Sequence, residues 1–417
     1  MEQLAESNSR FTSFKQRFFT SPKVKLHELS ITSKKTYFTL CLIMAMPGYL
    51  FLFGFPVMLI SLSGSIYESA QKATTTEELV YFSLQLTLFV FAVIISAALF
   101  KLKFRPPQGP KLSADEYPQL FEMLDELKQY HRSPFLRINR VVLCDSFEIK
   151  IVKTPKMGFP VLFTNTLLIG LPVLQTMSPD YFRALITREF GQASLGHHFF
   201  SGWLASLALV WKQYIRAAHK SGFIALPVYW FFKFYARFYQ TVACEVIKTD
   251  TLQAEYYALD IVNDEEFVDV ITYEVIIRDF INKTYWRKIR KVAMRAGGPE
   301  VQPHARMSNV VRELTQRDDF NKLIVKYWKQ SDELQSPYPA FIDRIHNVGH
   351  HKPGLPGALR ETAAEYFLGS KLATVVDVLD KKWRLNFNKI VNRRSSNPRA
   401  IPKSINSVLS DTDSSPE

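Results

Sequence analysis

The amino-acid sequence predicts an α+β fold, mainly helical, in which a hairpin of two transmembrane helices precedes a helical domain with a small β-sheet. Two long uncharged apolar stretches near the start predict the hairpin. Amphipathic spacing further on predicts the helices, and two short runs rich in β-branched residues predict the sheet. A chain of 417 residues with 47% hydrophobic residues is too apolar to be disordered and long enough for a sizeable core.

The two apolar stretches, residues 37–62 and 79–100, are each long enough to cross a bilayer, which takes roughly 20 residues. No Lys, Arg, Asp, Glu or His occurs in residues 36–67, and Gln85 is the strongly polar residue of the second stretch. We therefore predict two membrane spans. A pair of buried core helices is the alternative, although core helices seldom stay uncharged for so long. A cleaved signal peptide is not expected, because the first apolar stretch is too long.

The charges that flank the spans predict the topology. Residues 1–36 carry seven Lys/Arg and three Glu, and four more basic side chains occur in residues 101–111. The connecting loop, residues 67–78, holds one Lys and three Glu. The positive-inside bias places the N-terminus and the main domain in the cytoplasm, on the inner or cell membrane if the source is bacterial. Much of the net charge of +13 is then a topology signal.

The predicted organisation has five parts. They are a basic segment (1–36), the transmembrane hairpin (37–100), a Pro/Gly-containing linker (101–111), the main domain (112–385) and a basic, then disordered, tail (386–417). Three widely spaced cysteines give no disulfide framework, which favours a reducing compartment for the main domain.

Local patterns predict the first elements of the main domain. Residues 114–130 have the apolar spacing of an amphipathic helix, and residues 138–143 and 161–169 are typical of strands. The Ser-Pro pair at 178–179 supplies an N-cap and a favourable first position for a helix that runs to residue 194 or beyond.

Two aromatic stretches, residues 199–211 and 223–232, are too short for full spans. With the basic side chains around them (to about residue 237) they indicate segments that lie in the membrane interface or re-enter it; core helices are the alternative. The lipid bilayer is thus the first expected partner. Residues 287–295 form a strongly basic helical piece, but no nucleic-acid-binding motif accompanies it, so we expect no nucleic-acid partner.

The sequence REFGQ at 188–192, followed by GH and, about sixty residues later, by EYYA at 255–258, resembles a family of integral-membrane zinc metallopeptidases. These are the HtpX-like and CAAX prenyl endopeptidase-like enzymes of the gluzincin class, whose motifs are HExxH, ExxAD and a later HP followed by Arg. The resemblance runs from the first span to about residue 385. It implies a gluzincin-like metallopeptidase domain and metalloendopeptidase activity.

Only some positions of the family's motifs hold the family's residue type in this sequence. The resemblance implies a general base at Glu189 and a third metal ligand at Glu255. Arg188 and Gln192 replace the two His ligands; arginine has no lone pair for a metal, and an amide oxygen is a poor zinc ligand. We therefore expect no cofactor and no catalysis, with zinc present only if the family activity is retained.

The supporting family positions have changed as well. The Asp of ExxAD falls on Leu259, with Asp260 one residue late. The oxyanion-stabilising positions fall on Tyr338, where the family has His, and on Arg344, which keeps its spacing.

Other histidines are not expected to restore a zinc site. His197 and His198 lie about 12 Å along the helix from the base position, too far to share one tetrahedral ion. The remaining candidates fall in a loop rich in Gly and Pro and are predicted to be solvated: His346, His350 and His351.

A fixed positive charge is a physical substitute for the missing cation. Our hypothesis is that Arg188 sits between Glu189 and Glu255, with Gln192 hydrogen-bonding alongside, so that the carboxylates are not left unpaired. The alternative is that Arg188 points to solvent and the cleft has relaxed.

The sequence leaves three functions open. The first is a pseudoprotease that binds or regulates membrane polypeptides, or an intact membrane protease, without cutting. Its substrate contact would be an edge strand that accepts an extended peptide, and the residues of that strand would be Val161, Leu162, Phe163 and Thr164. The second is an active zinc metalloendopeptidase with an unusual ligand set, and the third is a non-proteolytic membrane scaffold.

Overall fold

The computed structural model describes residues 29–30, 33–72, 74–131, 137–156, 159–194, 199–259, 262–295, 301–316, 318–329 and 339–396. These residues are mainly helical and contain one four-stranded sheet, which confirms the predicted balance of secondary structure. The chain divides into two compact units. The first comprises Met1–Arg105, Lys153–Phe163 and His197–Asp250, and the second comprises Pro106–Val152, Thr164–Gly196 and Thr251–Glu417.

The helices are numbered in chain order. They are α1 (Lys34–Lys72), α2 (Thr76–Lys101), α3 (Pro118–His131), α4 (Leu171–Thr176), α5 (Pro179–Ser194), α6 (Phe199–Lys220), α7 (Leu226–Val242), α8 (Cys244–Leu259), α9 (Asp264–Asp279), α10 (Trp286–Arg295), α11 (Pro303–Thr315), α12 (Asp318–Lys329), α13 (Phe341–Asn347), α14 (Ala363–Leu368) and α15 (Leu372–Ser396). The strands are β1 (Lys111–Leu112), β2 (Ile138–Cys144), β3 (Ile149–Lys156) and β4 (Phe159–Gly170).

In the first unit, α1 and α2 contain the two predicted spans. By length and composition both helices are able to cross a membrane, and only 17% and 28% of their most apolar windows are buried. A core helix of a soluble protein is mostly buried, so this exposure favours the membrane interpretation. α1 continues through Pro47, whose ring removes one backbone N–H. The hydroxyl of Tyr235 donates to the carbonyl of Met44 at 2.8 Å, just before that proline.

The two aromatic stretches differ in the structure. In α6, Leu204, Leu207 and Trp211 are fully buried in a core that includes side chains of α1, so their burial does not separate the two predictions for residues 199–211. α7 is amphipathic, with one buried and one exposed aromatic face.

The sheet has the order β1-β2-β4-β3. The second unit contains β1, β2 and the parts of β3 and β4 at residues 149–152 and 164–170. β1 is antiparallel to β2, and β2 is parallel to β4 from the pair Ile138–Asn165 to the pair Cys144–Gly170. Residues 161–169 do form a strand, but β4 lies between β2 and β3. β4 is therefore an interior strand where it pairs with β2, from Asn165 to Gly170, and the ends of the described sheet are β1 and β3. The predicted substrate contact at residues 161–164 precedes this pairing and stays a prediction.

The core of the second unit joins the sheet to α3, α5 and α9. Fully buried side chains on these elements include Leu124, Leu167, Phe182 and Ile271. The predicted start of α5 is confirmed, because the hydroxyl of Ser178 accepts the backbone N–H of Tyr181. This start fixes the helix that carries the REFGQ sequence.

The C-terminal part of the chain is helical over a longer range than expected. The basic segment is helical as predicted, and forms α10 directly after a π-helical stretch at Phe280–Tyr285. α15 continues to Ser396, so the basic first part of the predicted tail, from residue 386, is helical. The rest of the predicted tail, residues 397–417, lies outside the described residues.

Candidate functional site

Four buried charged side chains meet where the resemblance places a metal centre. They come from four helices of the second unit: Arg188 on α5, Glu255 on α8, Glu274 on α9 and Arg344 on α13. Their exposed fractions are 8%, 0%, 1% and 5%. A buried charge without a partner costs several kcal/mol, so the pairing among these four side chains decides whether the cleft is stable. We call this set the charge network.

The strongest pair of the charge network joins Arg188 and Glu274. Nη1 of the arginine donates to Oε2 at 2.7 Å and Nη2 donates to Oε1 at 3.0 Å. Nη2 also lies 3.5 Å from Oε1 of Glu189. The hypothesis that Arg188 lies among buried carboxylates is right, but its main partner is Glu274 and not Glu255. The alternative in which Arg188 points to solvent is wrong.

Arg344 links Glu255 to the rest of the charge network. Its Nε donates to Oε1 of Glu255, and its Nη2 donates to Oε2 of Glu274 at 3.0 Å. Arg278 of α9 donates to the other oxygen of Glu274, so three guanidinium groups surround one carboxylate. Oε2 of Glu255 is buried and has no hydrogen-bond partner among the described residues.

This arrangement keeps Glu274 ionised. Burial by itself raises the pKa of a carboxyl, but the positive charges of Arg188, Arg278 and Arg344 hold the pKa of Glu274 well below its ordinary value. Glu274 is therefore the permanent anion at the centre of the charge network.

The pKa values of the other two carboxyls, Glu189 and Glu255, are raised instead. Burial raises the pKa of Glu189 more than Arg188 and Lys150 lower it. Burial likewise raises the pKa of Glu255 more than the guanidinium groups of Arg344 and Arg188 lower it. The cleft thus combines one strongly ionised carboxylate with two carboxyls that resist ionisation.

The metal-ligand chemistry of these residues is poor. Arg188 offers no lone pair, Gln192 offers an amide oxygen, and Glu255 is held by Arg344. Among the described residues, no three His, Cys, Asp or Glu side chains form a group that could hold a metal ion.

The remaining candidate residues are the histidines near the end of α13 and four positions outside the described residues. The rings of His346 and His351 lie 5.4 Å apart. Four positions discussed for the site lie outside the described residues: His197, His198, Asp260 and Tyr338.

Gly191, inside REFGQ, sets the spacing between α5 and α8. A Cβ at this position would lie 2.6 Å from the ring of Tyr257 on α8. The neighbouring α8 residues Ala254 and Ala258 are small and buried. The close approach of the two helices brings Glu255 to the charge network.

Gly191→Ala is expected to destabilise the second unit by about 1–3 kcal/mol, the usual cost of overpacking. At an ordinary helix position alanine is more stable than glycine by about 1 kcal/mol. The clash with Tyr257 therefore decides whether the substitution stabilises or destabilises the protein. Denaturant unfolding of the full-length protein measures the effect. Gly357→Ala is the matched control, because no atom lies within 4 Å of its added Cβ. A Gly191→Ala protein as stable as wild type would show that the spacing of α5 and α8 is not fixed by this contact.

Sequence reasoning missed Glu274, although a signal was present. It is the lone acidic residue in the apolar run ITYEVII, and its helical neighbours Ile271 and Ile277 are fully buried. A carboxylate on such a face needs a cationic partner, and Arg188 and Arg344, which the sequence analysis placed in the same cleft, are two of its partners.

Comparisons of the chain with protein-family models, with curated proteins and with solved structures give no match. The resemblance to gluzincin metallopeptidases therefore stays a hypothesis based on sequence motifs.

Proposed function

We propose that this chain is a membrane-anchored, metallopeptidase-like protein that binds or regulates membrane polypeptides without cutting them. The observation that carries the proposal is the charge network, in which arginine side chains neutralise buried carboxylates at the position of a catalytic metal. The fixed guanidinium groups take the electrostatic role of the cation but provide no Lewis-acid site and no activated water.

The side chains present do not suit a catalytic zinc ion. A site of this class needs lone pairs from two residues one helical turn apart and a free carboxylate on a second helix. Here those positions hold Arg188, Gln192 and a Glu255 that is already paired with Arg344. Glu189 keeps the general-base position, but Arg188 and Gln192 do not hold a metal-bound water for it to activate.

The membrane part of the proposal is supported by α1 and α2, which are long and apolar enough to cross a bilayer. The flanking basic residues favour an orientation with both ends of the hairpin, and the second unit, on the cytoplasmic side.

The polypeptide part is supported by the position of β3. It lies at the end of the described sheet, and an edge strand can accept an extended segment by strand addition. Lys150 on β3 acts electrostatically on Glu189, so this strand passes close to the cleft. The carbonyl of Lys153 accepts a hydrogen bond from Gln213 at 2.9 Å, which leaves residues 149–152 as the available part of the edge.

One experiment tests binding and catalysis together. A photo-crosslinking residue at Lys150 in the full-length, detergent-solubilised protein is expected to form saturable crosslinks to unfolded casein, and the casein is expected to remain intact. Metal analysis of the same carefully purified wild-type protein is expected to give no stoichiometric zinc.

The same photo-crosslinker at Lys381 on α15, a side chain with 63% exposure, is the control for non-specific labelling. Equal crosslinking at the two positions would contradict binding at β3. Stoichiometric zinc, or zinc-dependent casein cleavage, would contradict the metal-free proposal.

A further inference from the structure

The second unit contains a cavity of about 620 Å³ that is lined by α3, the start of α5, α14 and the loop at residues 357–361. This volume lies within the range of small-molecule sites, roughly 300–1,000 Å³. None of the lining residues belongs to the charge network. Asp180 of the lining precedes Arg188 by two helical turns of α5, about 12 Å along the axis, so the cavity is a separate candidate site.

The loop that forms one wall of the cavity is held in place by backbone hydrogen bonds. Before the wall, the N–H of Gly354 donates to the hydroxyl of Thr272 on α9 at 3.0 Å. After it, the N–H of Ala363 donates to the carbonyl of Met177 at 2.7 Å. Because the loop is tied to buried residues on both sides, the cavity is largely formed before a ligand arrives, as small-molecule sites usually are.

The lining of the cavity is acidic, in contrast to the chain as a whole. It carries four acidic and two basic side chains, whereas the chain has a net charge of +13. Arg183 lies 2.8 Å from Glu126 and neutralises it. The other charged side chains of the lining are Glu122, Asp180, Glu361 and Arg360. The cavity therefore keeps an excess of negative charge.

Further carboxylates extend this negative charge around Tyr181 of the lining. Burial raises the pKa of the Tyr181 phenol, and three nearby carboxylates raise it further: Asp269, Glu266 and Asp180. Burial, followed by the charges of Asp180 and Asp269, raises the pKa of Glu266 as well. Within the part of the chain that the structure describes, no basic side chain forms an ion pair with these three carboxylates. A cation bound beside them would relieve their repulsion.

Aromatic rings supply much of the remaining wall. The rings of Tyr181 and Tyr273 meet edge to face with 5.6 Å between centroids, and those of Tyr366 and Phe367 do so at 4.9 Å. Tyr366 is 46% exposed, so its ring is accessible to a ligand. Aromatic faces attract cations, and rings combined with carboxylates suit an organic cation. A metal ion fits less well, because the described acidic side chains do not converge in a group of three that could hold one.

We propose that this cavity binds an organic cation, an ammonium or guanidinium group on an alkyl chain. The carboxylates attract the charged group, and the tyrosine rings pack against the cation and its alkyl chain. The same chemistry occurs in a free amine and in a lysine or arginine side chain of a polypeptide. This site uses no residue of the charge network or of β3, so it is independent of the function proposed above.

Binding is measured by saturation-transfer NMR of ligand methylene protons in a titration of the full-length protein in a neutral detergent. The probes are butylguanidinium, a capped glycine pentapeptide with a central arginine, and the same peptide with citrulline, which has the shape of arginine without its charge. The arginine peptide is expected to bind roughly tenfold more tightly than the citrulline peptide. Butylguanidinium that binds as tightly as the arginine peptide indicates a free amine as the ligand, and tighter binding of the peptide indicates a polypeptide side chain.

Two site variants place the binding in the cavity. Glu122→Gln/Asp180→Asn is expected to weaken binding of the arginine peptide severalfold, and Tyr366→Leu is expected to weaken it through the loss of a ring. Asp125→Asn is the matched control with wild-type affinity, because Asp125 is on the same helix as Glu122 but pairs with Lys128 and does not line the cavity. Unfolding temperatures show that each variant is folded. Equal binding of the two peptides, no binding of any probe, or wild-type affinity in the folded site variants would overturn the proposal.

Discussion

Glu274→Gln is expected to destabilise the second unit by about 3–5 kcal/mol, because it leaves buried guanidinium groups without their shared anion. The substitution keeps the size of the side chain, removes its charge and replaces one acceptor oxygen by an NH2 donor. Arg188 loses a bidentate partner and Arg344 loses one of its two carboxylates. Denaturant unfolding of the full-length protein, followed by limited proteolysis of the second unit, measures the loss.

Glu189→Gln is the matched control for this prediction. Glu189 lies in the same cleft, but burial already raises its pKa, so an uncharged amide replaces a carboxyl that resists ionisation. We expect a change of less than about 1 kcal/mol. Equal losses for the two variants would show that the cleft responds to any amide and that Glu274 has no special place in it.

The pH dependence of the free energy of unfolding is an independent check, because Glu274 and Glu189 change it in opposite directions. The folded-state pKa of Glu274 lies well below its unfolded value, so its stabilisation is present above the unfolded pKa and is lost as pH falls toward the folded value. The folded-state pKa of Glu189 is raised, so its contribution weakens as pH rises from the unfolded toward the folded value. Stability of Glu274→Gln is therefore expected to fall less in acid than that of wild type.

Arg188→His/Gln192→His is expected to bind a substantial part of one zinc ion per chain, whereas wild type is expected to bind none. The two imidazoles would lie one turn apart on α5, and Oε2 of Glu255 on α8, the oxygen that Arg344 does not hold, would be a third ligand. Removal of Arg188 also leaves Glu274 with less positive charge, which adds to the attraction for a cation. Metal analysis and a zinc-dependent increase in unfolding temperature measure the binding; zinc at 100 times its Kd stabilises by about 2.7 kcal/mol.

Arg188→Ala/Gln192→Ala is the control, since it removes the same guanidinium without supplying imidazoles. It is expected to be less stable than wild type and to bind little zinc. A folded His variant without zinc would mean that α5 and α8 are not arranged as the family resemblance implies.

Features that depend on local sequence were predictable. The two uncharged stretches correspond to α1 and α2, and the Ser-Pro pair at 178–179 starts α5 as expected. These patterns act over a few residues or one turn, so neighbouring side chains alone determine them.

Features that depend on distant partners were not predictable. The partner of Arg188 lies 86 residues away, and nothing near REFGQ distinguishes Glu274 from Glu255. β3 was not predicted, because residues 149–156 (IKIVKTPK) alternate weakly and contain a proline. Strand order is set by packing of the whole sheet, which one segment does not encode.

The charge network also bears on the order in which the chain is made. Glu255 and Glu274 precede Arg344 by 89 and 70 residues, so both carboxylates emerge before one of their counter-charges has been synthesised. The cleft is electrically complete only after α13 leaves the ribosome. A chain that stops short of residue 344 lacks the guanidinium group that pairs with Glu255, although Arg188 and Arg278 still face Glu274.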